Sequence, residues 1–222
     1  MNLLKQKKSL VLFTLLLTLI STNFYSQTTK GKDFWFGFMY NLVEDAPLEV
    51  YVSSERLATG TLTIPGTGFS QTFNILANTT TGIVIPAGIM AGDNSDIIEG
   101  KAIHIVTCDT VSVYAINKGA ASDDAAVIYP TPILGNEYMV LTKQGNPGDW
   151  GKEFLVVATA NGTQIQITPT SATDGGRPAG VPYTVVLNQG DMYQVTANGD
   201  LTGTLVKSLP SGTISCSNFA VF

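Results

Sequence analysis

The chain has 222 residues, of which 44% are hydrophobic and 13% charged, and its formal net charge is −5. This hydrophobic content excludes an intrinsically disordered chain and suffices for one large or two smaller buried cores. No cluster of Lys and Arg is present to displace counterions, so nucleic acid is excluded as an expected partner. Abundant Gly, Thr, Ser and Asn, with short runs of Val, Ile, Tyr and Phe, favour strands over helices.

Residues 1–26 have the pattern of a secretory signal peptide. Lys5, Lys7 and Lys8 form a basic start, and LVLFTLLLTLIS at 10–21 is an unbroken apolar run. A membrane-spanning helix needs roughly 20 apolar residues, so this run is too short for an anchor. Cleavage would leave 9 basic and 17 acidic side chains, and no later stretch approaches spanning length. We therefore expect a secreted or cell-surface protein with no membrane span in the mature chain.

Downstream, apolar and polar residues alternate with the period of two that half-buried strands show. In LEVYVSSE at 48–55, Leu48, Val50 and Val52 would face one way, and in TQIQITPT at 163–170 Ile165 and Ile167 would do the same. Further strands are predicted, in chain order, at 31–38, 60–65, 71–76, 82–86, 101–107, 111–117, 126–130, 137–143, 153–159, 182–188, 192–197, 202–208 and 219–222.

Clusters of Gly, Pro, Asn and Asp separate these runs, and no amphipathic helical window of useful length interrupts them. Parallel sheets need crossover connections, usually helical, so antiparallel sheets fit better. The sequence thus predicts an all-β fold that is sandwich-like. A propeller-like or prism-like arrangement stays open as the alternative, because it would show short strands at similar spacing.

The chain repeats several of its own segments in the same order. GKDFWFGF at 31–38 is echoed by GKEFLVVA at 151–158, and CDTVSVY at 108–114 by CSNFAVF at 216–222. Such collinear echoes predict a tandem duplication, with β modules at 31–130 and 137–222 and equivalent core positions at Phe34 and Phe154. The second copy stops within a strand, so we expect it to be truncated and the chain to continue in a longer protein.

Several segments together resemble the IgGFc-binding protein N-terminal domain family. They are, in order, GKDFWFGF, VYVSSE, GKAIHIVTCDTVSVYAIN, SDDAAVIYPTPILGNEYMV, EFLVVATANGTQIQITPT, LNQGDMYQV and DLTGTLVKS, and they span most of 31–222. The resemblance implies an extracellular recognition or adhesion module, of the kind found in large bacterial secreted or surface proteins. No catalytic motif of the family is carried over, and fold likeness alone does not transfer IgG binding.

Catalytic arrangements are weakly supported by the residues present. His104 is the single histidine and lies on a predicted strand, where Cys108 would be about 13 Å away along the chain, out of hydrogen-bond reach. A disulfide between Cys108 and Cys216 is open but not favoured, since equivalent positions of two modules meet only near a local two-fold axis. We expect no catalytic residues and no enzyme activity; a glycan-acting enzyme with paired carboxylates remains a minor alternative.

Two kinds of binding residue are suggested. Trp35, Tyr40 and Trp150 are candidates for contacting a ligand through an aromatic face. The acidic turns supply Asp93, Asp96, Asp123 and Asp124 as hard oxygen ligands for calcium, although Asx residues beside Gly are also usual turn formers. The expected function is a non-catalytic recognition or adhesion module that binds an extracellular protein or glycan, with a structural spacer of a larger surface protein as the alternative. No cofactor is expected apart from the calcium hypothesis.

Overall fold

The computed structural model describes residues 28–41, 47–118, 123–143, 152–210 and 216–222, with only the backbone given for 123. The predicted signal peptide therefore lies outside the described residues. The described residues form fifteen strands, two short 3-10 turns and no α-helix, which confirms the all-β prediction. Within these ranges there is no helix with the length and apolar character needed to cross a membrane.

In chain order the strands are β1 (Lys30–Phe36), β2 (Glu49–Ser54), β3 (Ala58–Ile64), β4 (Phe69–Ile75), β5 (Thr79–Val84), β6 (Ile97–Glu99), β7 (Ile103–Lys118), β8 (Asp123–Ile128), β9 (Glu137–Met139), β10 (Lys152–Ala158), β11 (Thr163–Thr168), β12 (Tyr183–Leu187), β13 (Met192–Ala197), β14 (Leu205–Leu209) and β15 (Phe219–Val221).

The first sheet has seven strands and is organised around β7. The N-terminal part of β7 pairs with β1 and β3, so that His104 lies opposite Trp35 and Thr63. Its C-terminal part pairs with β2 and β8, and the register of β1 shifts where the two parts meet. Because Thr81 of β5 donates a side-chain hydrogen bond of 2.9 Å to the Asn74 carbonyl of β4, the outer strands approach each other and the sheet is nearly closed.

The core of this sheet follows the alternation predicted from the sequence. Val50 and Val52 are fully buried and Leu48 is nearly so, with Phe34 and Phe36 packed in the same cluster. Residues 101–107 and 111–117 were predicted as two strands, but the single strand β7, Ile103–Lys118, contains most of both. A strand of 16 residues can change neighbours along its length, so local alternation does not reveal that its two parts are continuous.

The second half of the chain forms two four-stranded antiparallel sheets, with orders β15-β10-β13-β6 and β12-β11-β14-β9. Their inner faces enclose a second core that contains Phe154, Ile165 and Ile167. This arrangement fits the predicted sandwich. Strand β6, which was not predicted, belongs to the first half by sequence yet pairs with β13 of the second.

A third cluster joins the two halves. Trp35 packs there with Leu155, Val157 and Met192, and all four side chains are at most 3% exposed. Phe34 and Phe154 are both buried, as expected, although in different clusters. The division at 31–130 and 137–222 and the duplication stay predictions, because strand pairing alone does not test common ancestry.

Candidate functional site

A groove of about 640 Å3 opens at one end of the first sheet. We call it the hydroxyl groove, because side-chain hydroxyls predominate among its lining residues. These are Lys30, Ser53, Ser54, Glu55, Arg56, Asn78, Thr79, Thr80, Asp109, Thr110, Val111, Ser112 and Tyr114.

Strand register places three of these hydroxyl residues side by side. Ser53 of β2 lies opposite Thr80 of β5 on one side and Ser112 of β7 on the other. The turn before β5 is fixed by Asn78, whose φ of 60° lies in the left-handed region that asparagine tolerates better than most residues. Its N–H donates a 2.9 Å hydrogen bond to the Ser54 carbonyl. The groove is therefore built on paired backbone.

Four charged side chains line the groove, and their formal charges balance. Lys30 pairs with Glu55, and this hydrogen bond holds the pKa of the Glu55 carboxyl below its ordinary value. Arg56 lies 3.9 Å from Asp109, measured from Nη1 to Oδ2, and its side chain is 81% exposed. The groove thus offers both donors and acceptors without a surplus of either charge.

Tyr114 supplies the aromatic surface of the groove. It lies in the middle of β7, opposite Tyr51 of β2 and Val127 of β8, and is 40% exposed. Tyr51 is itself held against Gly82, where an added Cβ would come within 3.3 Å of its ring. Tyr114 was not among the predicted site residues. The alternation in VSVYAIN nevertheless indicates that its side chain points away from the core, since its neighbours Val113 and Ala115 are core residues.

The aromatic residues selected from the sequence lie elsewhere. Trp35 is 3% exposed and stacks on His104 with ring centroids 4.0 Å apart, so its side chain is buried in this fold, and its role as a ligand-contacting residue stays a prediction. Trp35 is buried because β1 is covered on both faces, by its own core and by the second half of the chain. Tyr40 is half-buried against the first core, and Trp150 lies outside the described residues.

The histidine and the cysteines form no catalytic arrangement among the described residues. His104 Nε2 lies 2.9 Å from Asp33 Oδ2, and within the described ranges it shares no hydrogen bond with a cysteine, serine or threonine side chain. Neither Cys108 nor Cys216 forms a disulfide. Thr59 donates two hydrogen bonds to Cys108 Sγ, from Oγ1 at 3.4 Å and from the backbone N–H at 3.2 Å, and these lower the thiol pKa.

The acidic residues proposed as calcium ligands are distributed over two regions. Asp93 is exposed and accepts a hydrogen bond from Asn94, whereas Asp96 is engaged by hydroxyl groups. Asp123 and Asp124 begin β8. In the described ranges, no three His, Cys, Asp or Glu side chains are grouped in a way that could hold a metal ion. The calcium hypothesis stays a prediction.

Asp96 instead links the two halves of the chain. Its Oδ1 accepts hydrogen bonds from the hydroxyls of Tyr193 at 2.7 Å and Tyr183 at 2.9 Å, and its Oδ2 from Thr173 at 2.7 Å and Ser95 at 2.8 Å. Burial acts to raise the pKa of Asp96, but these four donors outweigh burial and lower it. Burial and the adjacent carboxylate raise the pKa of both tyrosines. The cluster suits a structural tie better than an open ligand site.

Comparison with known proteins finds similarity over part of the chain. Residues 124–222 match the family model described as IgGFc binding protein. The human IgGFc-binding protein is 35% identical over 108 residues, which is 47% of this chain. The chain spans only 2% of the length of that human protein. The hydroxyl groove, formed by residues 30–114, lies outside the segment that matches the family model.

Proposed function

We propose that the chain is a non-catalytic extracellular recognition module whose second half binds a protein partner. The similarity of residues 124–222 to a family described by its binding of IgG Fc supports this proposal. The human relative is likewise named for binding IgG Fc, so the Fc fragment is the first partner to test.

Within that segment, the observation that carries the proposal is an outward pair of large apolar side chains. Met139 and Leu141 are 74% and 86% exposed, whereas Val140 between them is buried. Backbone hydrogen bonds of 2.9 Å from Val140 N–H to the Thr204 carbonyl and from Gly203 N–H to the Val140 carbonyl hold this stretch in place. Exposed apolar side chains on an ordered backbone are typical of protein-binding surfaces, because they bury apolar area at little entropic cost.

The chain should therefore bind a protein through the surface around Leu141. The test measures binding of the secreted full chain to immobilised IgG Fc and to a panel of extracellular proteins by surface plasmon resonance. Leu141→Ser should weaken the interaction by about tenfold, a loss of about 1.4 kcal/mol. Leu57→Ser is the matched control, because Leu57 is also an exposed leucine, at 66%, and lies outside 124–222.

Equal losses of affinity in the Leu57→Ser and Leu141→Ser variants would refute the proposal that the partner binds around Leu141. An absence of binding to every protein of the panel would instead favour the structural spacer. Unchanged circular dichroism of both variants establishes that any loss of binding does not come from unfolding.

A further inference from the structure

We propose that the hydroxyl groove is a second binding site, which takes an uncharged saccharide stacked on Tyr114. The site is built from the first half of the chain and does not depend on the protein-binding surface around Leu141. Its volume of about 640 Å3 lies in the range of about 300–1,000 Å3 that small-molecule sites occupy, which leaves room for a short oligosaccharide.

The hydrogen-bonding groups of the groove match the chemistry of sugars. Each sugar hydroxyl both donates and accepts, and it is satisfied best where donors and acceptors stand close together. The row of Thr80, Ser53 and Ser112 supplies hydroxyls of the same dual kind. Arg56 and Asp109, 3.9 Å apart, add a planar donor beside a carboxylate acceptor. Charged partners strengthen hydrogen bonds to neutral hydroxyls.

The charge balance of the groove selects against charged ligands. Its two cations, Lys30 and Arg56, each have a carboxylate partner within the groove, Glu55 and Asp109. An acidic saccharide or another polyanion would need a surplus of cations, and it would meet these carboxylates and the net negative charge of the chain. An uncharged ligand has no such penalty.

Tyr114 gives the groove the flat apolar surface on which a sugar ring can pack. Tyr114 is 40% exposed, while its backbone is paired on both sides, with Tyr51 and with Val127. An aromatic side chain fixed in a sheet loses little entropy on binding, so its contact area contributes efficiently to affinity. Val111 is the other large apolar residue of the lining, which leaves little apolar surface for anchoring a peptide side chain.

The test presents the full chain to an array of uncharged oligosaccharides and their sialylated and sulfated counterparts, followed by titration calorimetry with the best uncharged binder. We expect binding to uncharged members, with little change between 50 and 500 mM NaCl, because no net charge is neutralised. Tyr114→Ala should weaken binding by at least about tenfold, and Tyr114→Phe by less than about threefold, because the ring is retained.

Tyr129→Ala is the matched control, since Tyr129 is 53% exposed and does not line the groove. If Tyr114→Ala does not fold, Arg56→Ala replaces it, because this side chain is 81% exposed and its removal should lower affinity without disturbing the sheet. Selective binding of acidic glycans, binding of none of the array, or equal losses in the Tyr114→Ala and Tyr129→Ala variants would overturn the proposal. Leu141→Ser should leave saccharide binding unchanged, so the two proposed sites fail or succeed separately.

Discussion

Removal of the Asp96 carboxylate should destabilise the whole chain, because this side chain accepts several of the hydrogen bonds that join the two halves, in addition to the β6–β13 pairing and the apolar cluster. Asp96 precedes β6, and three of the four hydroxyls that it accepts, those of Tyr183, Tyr193 and Thr173, belong to the second half. The Asp96→Ala variant would leave these hydroxyls without their acceptor. Tyr193 is only 2% exposed, so water reaches it poorly.

The expected loss is smaller than the sum of four separate bonds. A hydrogen bond to a charged group contributes about 1.5–3 kcal/mol, but the half-buried carboxylate also gave up hydration on folding, and water will enter the space left by the substitution. We expect Asp96→Ala to lower the free energy of unfolding by about 3 kcal/mol. For a chain of this size that corresponds to a Tm lower by about 6–12 °C.

The pH dependence of this loss identifies its cause. Since the pKa of Asp96 is lowered in the folded state, its stabilisation is fully present above the unfolded value of about 3.9 and is lost as pH falls through the folded pKa. Urea unfolding followed by fluorescence should therefore show a constant difference between wild type and Asp96→Ala from pH 5 to 8, shrinking below about pH 4.

Asp93→Ala is the control from the same loop. Asp93 is exposed and accepts one hydrogen bond, from its neighbour Asn94, so its removal should change stability by less than about 0.5 kcal/mol. If Asp96→Ala costs no more than Asp93→Ala, the carboxylate does not tie the two halves. A difference that persists undiminished at pH 3 would contradict its electrostatic origin.

Three further predictions concern other buried or reactive groups. Trp35→Ala should lower the free energy of unfolding in urea by about 3–5 kcal/mol, because it leaves a cavity in the cluster between the two halves. A decrease of less than about 1 kcal/mol would contradict the burial of Trp35. Burial, and then the charge of Asp124, raise the pKa of Glu153 to about 7, so wild-type stability should fall as pH rises from 5 to 8. In the Glu153→Gln variant the free energy of unfolding should lack the part of this decrease that Glu153 causes, so that relative to wild type it rises by about 1–3 kcal/mol between pH 5 and pH 8. Parallel pH profiles of the two proteins would refute this. With Ellman's reagent at pH 7.5, two thiols should react, Cys108 faster than Cys216, since Cys108 is exposed and its pKa is lowered; no reaction before reduction would indicate a disulfide.

Much of the site could not be predicted from the sequence, because its parts come from separate strands. Ser53, Thr80 and Ser112 are unremarkable polar positions until register places them in one row. Trp35 shows the converse case. The sequence suggested it as a candidate for contacting a ligand, but the second half of the chain covers its side chain. The exposure of a side chain depends on which other elements pack against its strand, and a local stretch of sequence does not contain this information.

Local pattern determined the strands and their inward faces, since the side chains of a strand alternate with a period of two whatever its neighbours are. Val50, Val52, Ile165 and Ile167 are buried as that period predicts. The family resemblance, carried by ordered motifs, likewise came from the sequence and is supported over 124–222. Tertiary structure alone decided which strands pair, that β6 crosses into the second half, and that Asp96 is an internal tie. These features depend on contacts between residues that are distant in the chain, and the free energies of such contacts cannot be read from a short stretch of sequence.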